Sequence, residues 1–569
     1  MKRVSIYLKG DTGTLADRII TNWMLTIRDT NPAILEMFRD RDLPPYRDLL
    51  PWSGEFAGKH LVSAHALYRL TGHQALYESA IAFLDELIGL QGEDGYLGCY
   101  REACRLTGAF SQDPSATGQT WDAWSHYHIL YGLYLWYRET LDGRYWQAIL
   151  RAADLFMRLF YNGKRLVSIG NSEMNLAPLH IFAILYRETG DRKFLDFAME
   201  IVQDLAHEEA GNYINHSIRG LEYYQCPKPR WESLHIVMGI AELYACTGEV
   251  KYLDVARHIF FSILKTDVHN TGAFSTDEQA IGHPFRNAAI ETCCVIAYNA
   301  LACQLLALTP EVRIADFLEL SLYNAVMGAF SPSGRWSTYS TPMDGEKCAN
   351  YHSIVFQSRP GSPDLNCCSV HAPRGIGMLG EWMLLEHEDV VMINFFENLE
   401  AEFASGLRIV VSGDYPVRNH VTIRIHSPGS QKIAIRMPHW SPRTKAALNG
   451  TDLATSPGTW LVLDRSWNGD AMDIEFDFAA RFLDGDQAYK GMKSLYIGPI
   501  LYGFDVSENP SFNMDALPGI PLSDVETASP RRKPDGRILL PLDCGITLKD
   551  FCHLGQSGCR YRTWLRFDG

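Results

Sequence analysis

No apolar run in this 569-residue chain approaches the roughly 20 residues that cross a bilayer, which excludes a helical membrane span. The first ten residues, from Met1 to Gly10, are basic but have no apolar h-region, so a secretory signal is not expected. Positive charge is in short supply: 52 Lys and Arg against 67 Asp and Glu leave a net charge of −15. That excludes nucleic acid as a partner, because phosphates demand a basic surface, and suits a neutral ligand such as a sugar. Regular cysteine spacing is also missing. The 13 cysteines are odd in number, and with no secretion signal they argue for metal-binding or catalytic thiols in a cytoplasmic protein rather than a disulfide framework.

What is present is the balance of a globular protein, 46% hydrophobic and 21% charged, in a chain too long for a single core. One phrase repeats. Leu67-Tyr68-Arg69-Leu70-Thr71-Gly72 returns as Leu185-Tyr186-Arg187-Glu188-Thr189-Gly190 and as Leu243-Tyr244-Ala245-Cys246-Thr247-Gly248. Weaker copies end at Thr140 and Thr309. Each copy reads as a helix, a Thr-Gly turn and a second helix, glycine taking the left-handed position after the first. A helical-hairpin repeat builds an open solenoid or a closed ring. The long aromatic loops between copies, such as Asp94-Gly95-Tyr96-Leu97 and 121–124, favour an (α/α)6 toroid with a pocket at its mouth.

Near residue 388 the pattern changes to period two. Val390–Phe396, Leu407–Val411, Val421–His426, Ile433–Met437, Trp460–Leu463 and Met472–Phe478 read as strands, with Asn449-Gly450 and Asn468-Gly469 as turns. A second β unit is expected from about Leu495. The fold class is therefore mostly α: an (α/α)6 toroid catalytic domain over 1–387, then antiparallel β-sandwich domains over 388–485 and 486–569. Strand edges of such sandwiches allow a homodimer.

Two short motifs carry chemistry. Glu291-Thr292-Cys293-Cys294 opens an apolar helical stretch, and Asn366-Cys367-Cys368-Ser369 follows about 75 residues later. Glu291, Cys293, Cys367 and Cys368 supply one carboxylate and three thiolates, a donor set that suits tetrahedral Zn2+. Cys294 points away from Cys293 on a helix and reads as core. The competing reading is that all of these are small buried hydrophobes.

With these motifs the chain resembles the β-L-arabinofuranosidase family of glycoside hydrolases over nearly its whole length. The resemblance rests on Trp52-Ser53-Gly54-Glu55-Phe56-Ala57-Gly58-Lys59-His60, Asp94-Gly95-Tyr96-Leu97, Glu291-Thr292-Cys293, Tyr323-Asn324-Ala325, Cys367-Cys368, Arg436-Met437-Pro438-His439-Trp440 and Gly498-Pro499-Ile500-Leu501-Tyr502. It implies zinc held by Glu291, Cys293, Cys367 and Cys368, with Cys367 as nucleophile. It implies Glu278 as acid/base, with Asp277 as the rival. It further implies sugar contacts from His128, His235 and Tyr339, with His126 and His60 weaker candidates. Asn171 stands where the family has a pocket histidine, Leu365 replaces a cysteine, and Cys367-Cys368-Ser369-Val370-His371 replaces Cys-Cys-Pro-Pro-Asn. These departures leave the sugar open and set His371 to meet a group that arabinose lacks.

The expected activity is retaining exo-hydrolysis of β-L-arabinofuranosides or a related plant-type sugar, the partner being a small oligosaccharide or glycoside. Two other readings use the same toroid: a sugar epimerase or lyase, which needs no thiolate, and a non-catalytic carbohydrate-binding protein with structural zinc.

Overall fold

The computed structural model describes residues 3–110, 119–349 and 364–568. Twelve helices form two concentric rings. The inner ring holds α2 (Glu55–Thr71), α4 (Asp122–Thr140), α6 (Pro178–Thr189), α8 (Ser233–Thr247), α10 (Thr292–Leu308) and α12 (Cys367–Gly377). Each inner helix packs on the next, and α12 packs back on α2, so the ring is closed. The outer partners are α3 (Gln74–Gly89), α5 (Gly143–Phe160), α7 (Arg192–Asp204), α9 (Val250–Thr266) and α11 (Val312–Ser321), with α1 (Asp11–Ile19) against α12. The inner helices are buried nearly all round, while α5 and α7 bury one stripe and expose the other.

The repeated phrase is the corner between rings. Thr71, Thr140, Thr189 and Thr247 each donate to the carbonyl four residues back, at 2.5–2.8 Å, and accept the amide two residues on. One hydroxyl thus ends the inner helix and starts the outer one. Gly72, Gly190 and Gly248 take φ of 66–74° at the corner, and Leu141 takes 58° in the copy that lacks glycine.

The C-terminal part holds two main sheets. The first runs β1-β4-β5-β6-β9-β7-β8, with β2 on β3 and β3 parallel to β6. Its strands are β1 (Arg3–Leu8), β2 (Leu384–His387), β3 (Val390–Ile393), β4 (Leu399–Phe403), β5 (Arg408–Gly413), β6 (His420–Met437), β7 (Lys445–Leu448), β8 (Thr451–Leu453) and β9 (Thr459–Glu475). The chain's first strand, β1, therefore pairs with β4 nearly 400 residues away. The turn at Asn449-Gly450 is present, both residues at positive φ. The expected break at Asn468-Gly469 is not. Val421–His426 and Ile433–Met437 are one strand, and so are Trp460–Leu463 and Met472–Glu475. The β6–β9 pairing absorbs both interruptions as register shifts around His426 instead of reversing the chain. The second sheet runs from Arg481 to Arg562 and is antiparallel throughout.

Two of the sequence motifs join the ring to the sheets. Asn324 donates to the Pro499 carbonyl at 2.9 Å and accepts from the Leu501 amide at 2.9 Å. The fully buried Arg436 pairs with Asp316 and Glu319 of α11 at 2.5 and 2.7 Å. Tyr415 and Trp440 hydrogen-bond the same Glu319 at 2.6 and 3.0 Å.

Candidate active site

The two cysteine motifs open neighbouring inner helices. Glu291 is the N-cap of α10 in an extended conformation that bridges it to Ser340, and Cys293 lies in the first turn. Cys367 and Cys368 begin α12, held by a capping box in which Asn366 Oδ1 accepts the Ser369 amide at 2.8 Å and Ser369 Oγ accepts the Asn366 amide at 3.0 Å. Both helix N-termini thus present their positive ends to the thiols.

The four side chains converge. Cys368 Sγ lies 3.5 Å from Cys293 Sγ and 3.4 Å from Glu291 Oε1. Cys367 Sγ lies 3.9 Å from Cys368 Sγ and 3.7 Å from the same carboxylate oxygen. Metal–sulfur bonds near 2.3 Å and metal–oxygen bonds of 2.0–2.2 Å predict tetrahedral edges of about 3.8 Å (S–S) and about 3.5–3.7 Å (S–O). All four donor atoms fall within 4.8 Å of one another, and all four residues are buried. The donor set therefore fits a tetrahedral cation. Burial and mutual repulsion push Glu291, Cys293 and Cys368 well above their ordinary ranges, so the cluster retains protons unless a cation replaces them. Cys294 is outside the cluster, its Sγ 3.7 Å from the other Glu291 oxygen.

Glu278 reaches this cluster and Asp277 does not. The charge of Glu278 bears on Glu291 and helps raise its pKa, and Glu278 pairs with Arg230 at 2.5 Å, whose guanidinium also holds Glu232 at 2.7 Å. Asp277 turns outward to Arg286 at 2.9 Å. Both residues sit at positive φ, 47° and 65°, a sparsely populated region for residues with a side chain. Burial, reinforced by Glu278, lifts Glu232 to about 8 against the opposing charge of Arg230.

Tyr339 faces Cys367, with Cys367 Sγ 3.5 Å from its hydroxyl. His128, His235 and His371 line the ring interior below. The His128 ring centroid is 4.9 Å from His235 and 6.2 Å from His371. His128 Nε2, His235 Nε2 and both nitrogens of His371 are buried with no protein partner among the described residues. Burial, aided by the charges of Lys59 and Arg374, lowers all three well below the usual histidine range, so the imidazoles are neutral. His126 is structural, bonded to the Leu97 amide and the Asp122 carbonyl. His60 packs on Phe83. Asn171 donates to the Thr120 carbonyl at 3.2 Å and has no hydrogen bond to the cluster among the described residues.

Sequence reasoning missed Lys59. Its side chain is fully buried in α2, with Nζ 2.9 Å from Glu55 and 3.6 Å from Cys293 Sγ. It lies 5.2–5.7 Å from the ring centres of Trp231 and Trp124, and Trp124 Nε1 donates to Glu55. The i, i+4 spacing of Glu55 and Lys59 at the start of α2 was the available signal.

The family model for the GH127 β-L-arabinofuranosidase catalytic domain matches residues 21–380. The chain belongs to this family. The GH127 middle-domain model matches residues 390–479. A curated relative, the non-reducing end β-L-arabinofuranosidase of Bifidobacterium longum subsp. longum, is 23% identical over 408 residues. That match covers 63% of this chain and 61% of the relative, so less than two thirds of the relative's length is spanned. Two solved structures share the GH127 fold. One is a GH127 β-L-arabinofuranosidase from Geobacillus stearothermophilus (17% identity, TM-score 0.78, 99% of this chain and 100% of that one). The other is a GH127 β-arabinofuranosidase (19% identity, TM-score 0.78, 99% and 97%). No helix among the described residues of this GH127 chain is long and apolar enough to cross a membrane.

Proposed function

We propose that this GH127 protein is a retaining exo-glycoside hydrolase acting on β-L-arabinofuranosides or a closely related plant-type sugar, with Cys367 as nucleophile and Glu278 as acid/base. The observation that carries the reading is the meeting of Cys367 with Glu291, Cys293 and Cys368 in a tetrahedral donor set beside Glu278. The sugar identity rests on the relatives' activity.

Glu291, Cys293, Cys367 and Cys368 hold Zn2+ in this reading, and the ion, when bound, keeps the thiols deprotonated at neutral pH. Cys367 attacks the anomeric carbon and forms a C–S bond while the C–O bond to the leaving group breaks. Glu278 gives its proton to the departing oxygen. Glu278, now a carboxylate, takes a proton from water. The resulting hydroxide equivalent displaces sulfur from the anomeric carbon, giving net retention. Arg230 holds Glu278 toward the cluster, and Tyr339 donates to the Cys367 sulfur. His128, His235 and His371 offer neutral nitrogens to sugar hydroxyls, and Asn171, which takes the place of a family histidine, is a further sugar contact in this reading.

The test is Cys367→Ser, assayed on a broad aryl glycoside panel with circular dichroism as the folding control. Turnover is expected to vanish with the fold intact, and product NMR of the wild type is expected to show retained configuration. Near-normal turnover by the variant, or an inverted product, sinks the mechanism.

A further inference from the structure

A cavity of about 340 Å3 lies where the ring meets both sheets, and it shares no residue with the cysteine cluster. Its walls come from α9 and α11 of the ring, from the segment just after β6, and from the second sheet. Leu264, Phe317, Leu320 and Pro499 make much of the lining apolar. The volume falls within the range of ligand sites, about 300 to 1,000 Å3.

The charged groups of this joint do not balance. Arg481 lines the cavity between two rings, its Cζ 5.4 Å from the centre of Trp440 and 5.5 Å from that of Tyr496. Its Nη2 donates to the Gly498 carbonyl at 2.6 Å. Nε is buried without a partner, and Nη1 has no hydrogen bond or ion pair among the described residues. The nearby carboxylates are already engaged. Asp316 holds Arg436 and His439 at 2.5 and 2.9 Å. Glu319 holds Arg436 and accepts from Tyr415 and Trp440. Arg313, also in the lining, lies over the Phe261 ring at 5.1 Å and has no ion pair among the described residues. Arg313, Arg436 and Arg481 thus set three positive charges against two negative ones, on Asp316 and Glu319, and one charge is left over. A guanidinium withdrawn from water with no counter-charge is costly, which a bound anion relieves.

We propose that this cavity binds a small aromatic monocarboxylate, with its carboxylate on Nη1 of Arg481 and its ring against Phe317, Leu320 and Pro499. One negative charge completes the balance, and an apolar body covers the lining. The site does not depend on the hydrolase reading above. A ligand held there touches the ring and both sheets at once, so it ties the three together.

The experiment titrates the full chain with cinnamate by isothermal titration calorimetry, with cinnamyl alcohol as the uncharged comparison and hexanoate as the aliphatic one. Cinnamate is expected to bind once per chain, and both comparison compounds at least about tenfold more weakly, since a hydrogen bond to a charged partner is the strong kind. Arg481→Gln is expected to weaken cinnamate by about tenfold or more. Arg313→Gln, at an exposed position, is expected to weaken it by about threefold, and it keeps the site testable if Arg481→Gln does not fold. Cinnamate should also raise the melting temperature of the wild type and not that of Arg481→Gln. Cys367→Ser should bind cinnamate as the wild type does, and loss of binding in that variant places the ligand at the cysteine cluster and overturns the proposal. Absence of cinnamate binding, equal affinity for either comparison compound, or unchanged affinity in the folded arginine variants also overturns it.

Discussion

Cys293 Sγ and Cys368 Sγ lie 3.5 Å apart although 75 residues separate them in the chain. Neither helix alone brings enough ligands: α10 contributes Glu291 and Cys293 at its start, α12 contributes Cys367 and Cys368 at its own. Closure of the ring makes these two helices neighbours.

Metal binding should follow from this meeting. Cys293→Ala removes a ligand that takes no part in bond making. Elemental analysis is expected to show about one zinc per chain in the wild type and a small fraction of that in the variant. Excess strong chelator should lower the wild-type melting temperature and leave the variant's almost unchanged, since only a ligand bound to the folded state stabilises it. Equal zinc content in both proteins refutes the ligand assignment.

The acid/base role is decided between adjacent residues. Glu278→Gln is expected to lower kcat/KM by about 10²–10⁴ on glycosides with poor leaving groups, and far less on activated aryl glycosides that depart without a proton. Asp277→Asn, whose parent side chain pairs outward with Arg286, should change either substrate by less than about threefold. The reverse ranking hands the role to Asp277.

Lys59 and Glu55 form a buried pair against Cys293 and two tryptophans. Removing one member of such a pair leaves an uncompensated buried group, at a cost of about 3–5 kcal/mol. Lys59→Met should therefore destabilise the protein by about that amount in urea unfolding, and Lys59→Met with Glu55→Gln should recover more than half. A double variant as unstable as the single one shows that Lys59 acts through Cys293 instead.

His269 braces the loop that carries Glu278. Its Nδ1 contacts the Pro284 carbonyl at 2.9 Å, and its Nε2 lies 3.2 Å from both the Ser275 carbonyl and Thr276 Oγ1. Burial lowers it to about 4. Its folded value is thus below the unfolded one, near 6.5, so the unfolded chain takes the proton first as pH falls. The stability this group contributes is complete above about pH 6.5 and is lost on the way down to about pH 4. The loss is about 1.4 kcal/mol per pH unit, or about 2 kcal/mol by pH 5. The stability difference between wild type and His269→Gln, measured by urea unfolding at pH 7 and pH 5, should shrink by about that amount. A pH-independent difference rules the linkage out.

Much of the fold was legible in local pattern. The Thr-Gly phrase marks the ring corners because one threonine hydroxyl serves two helices and glycine takes positive φ cheaply, both local demands. Asn449-Gly450 marks a real hairpin for the same reason. Asn468-Gly469 looks identical, yet the strand runs through it, because pairing along β6 outweighs a local turn preference.

The sequence by itself determined the helical-hairpin repeat and the β character after residue 388, since both are written in spacing, while the closed ring and the four-ligand donor set were expected from the long loops and the family resemblance. Only the tertiary structure decided which residues meet. It placed Glu278 rather than Asp277 beside Glu291, set Lys59 against Cys293 and carried β1 across to β4. The physical reason is that these contacts join segments far apart in the chain, and their geometry is set by ring closure and burial, which local preference does not encode.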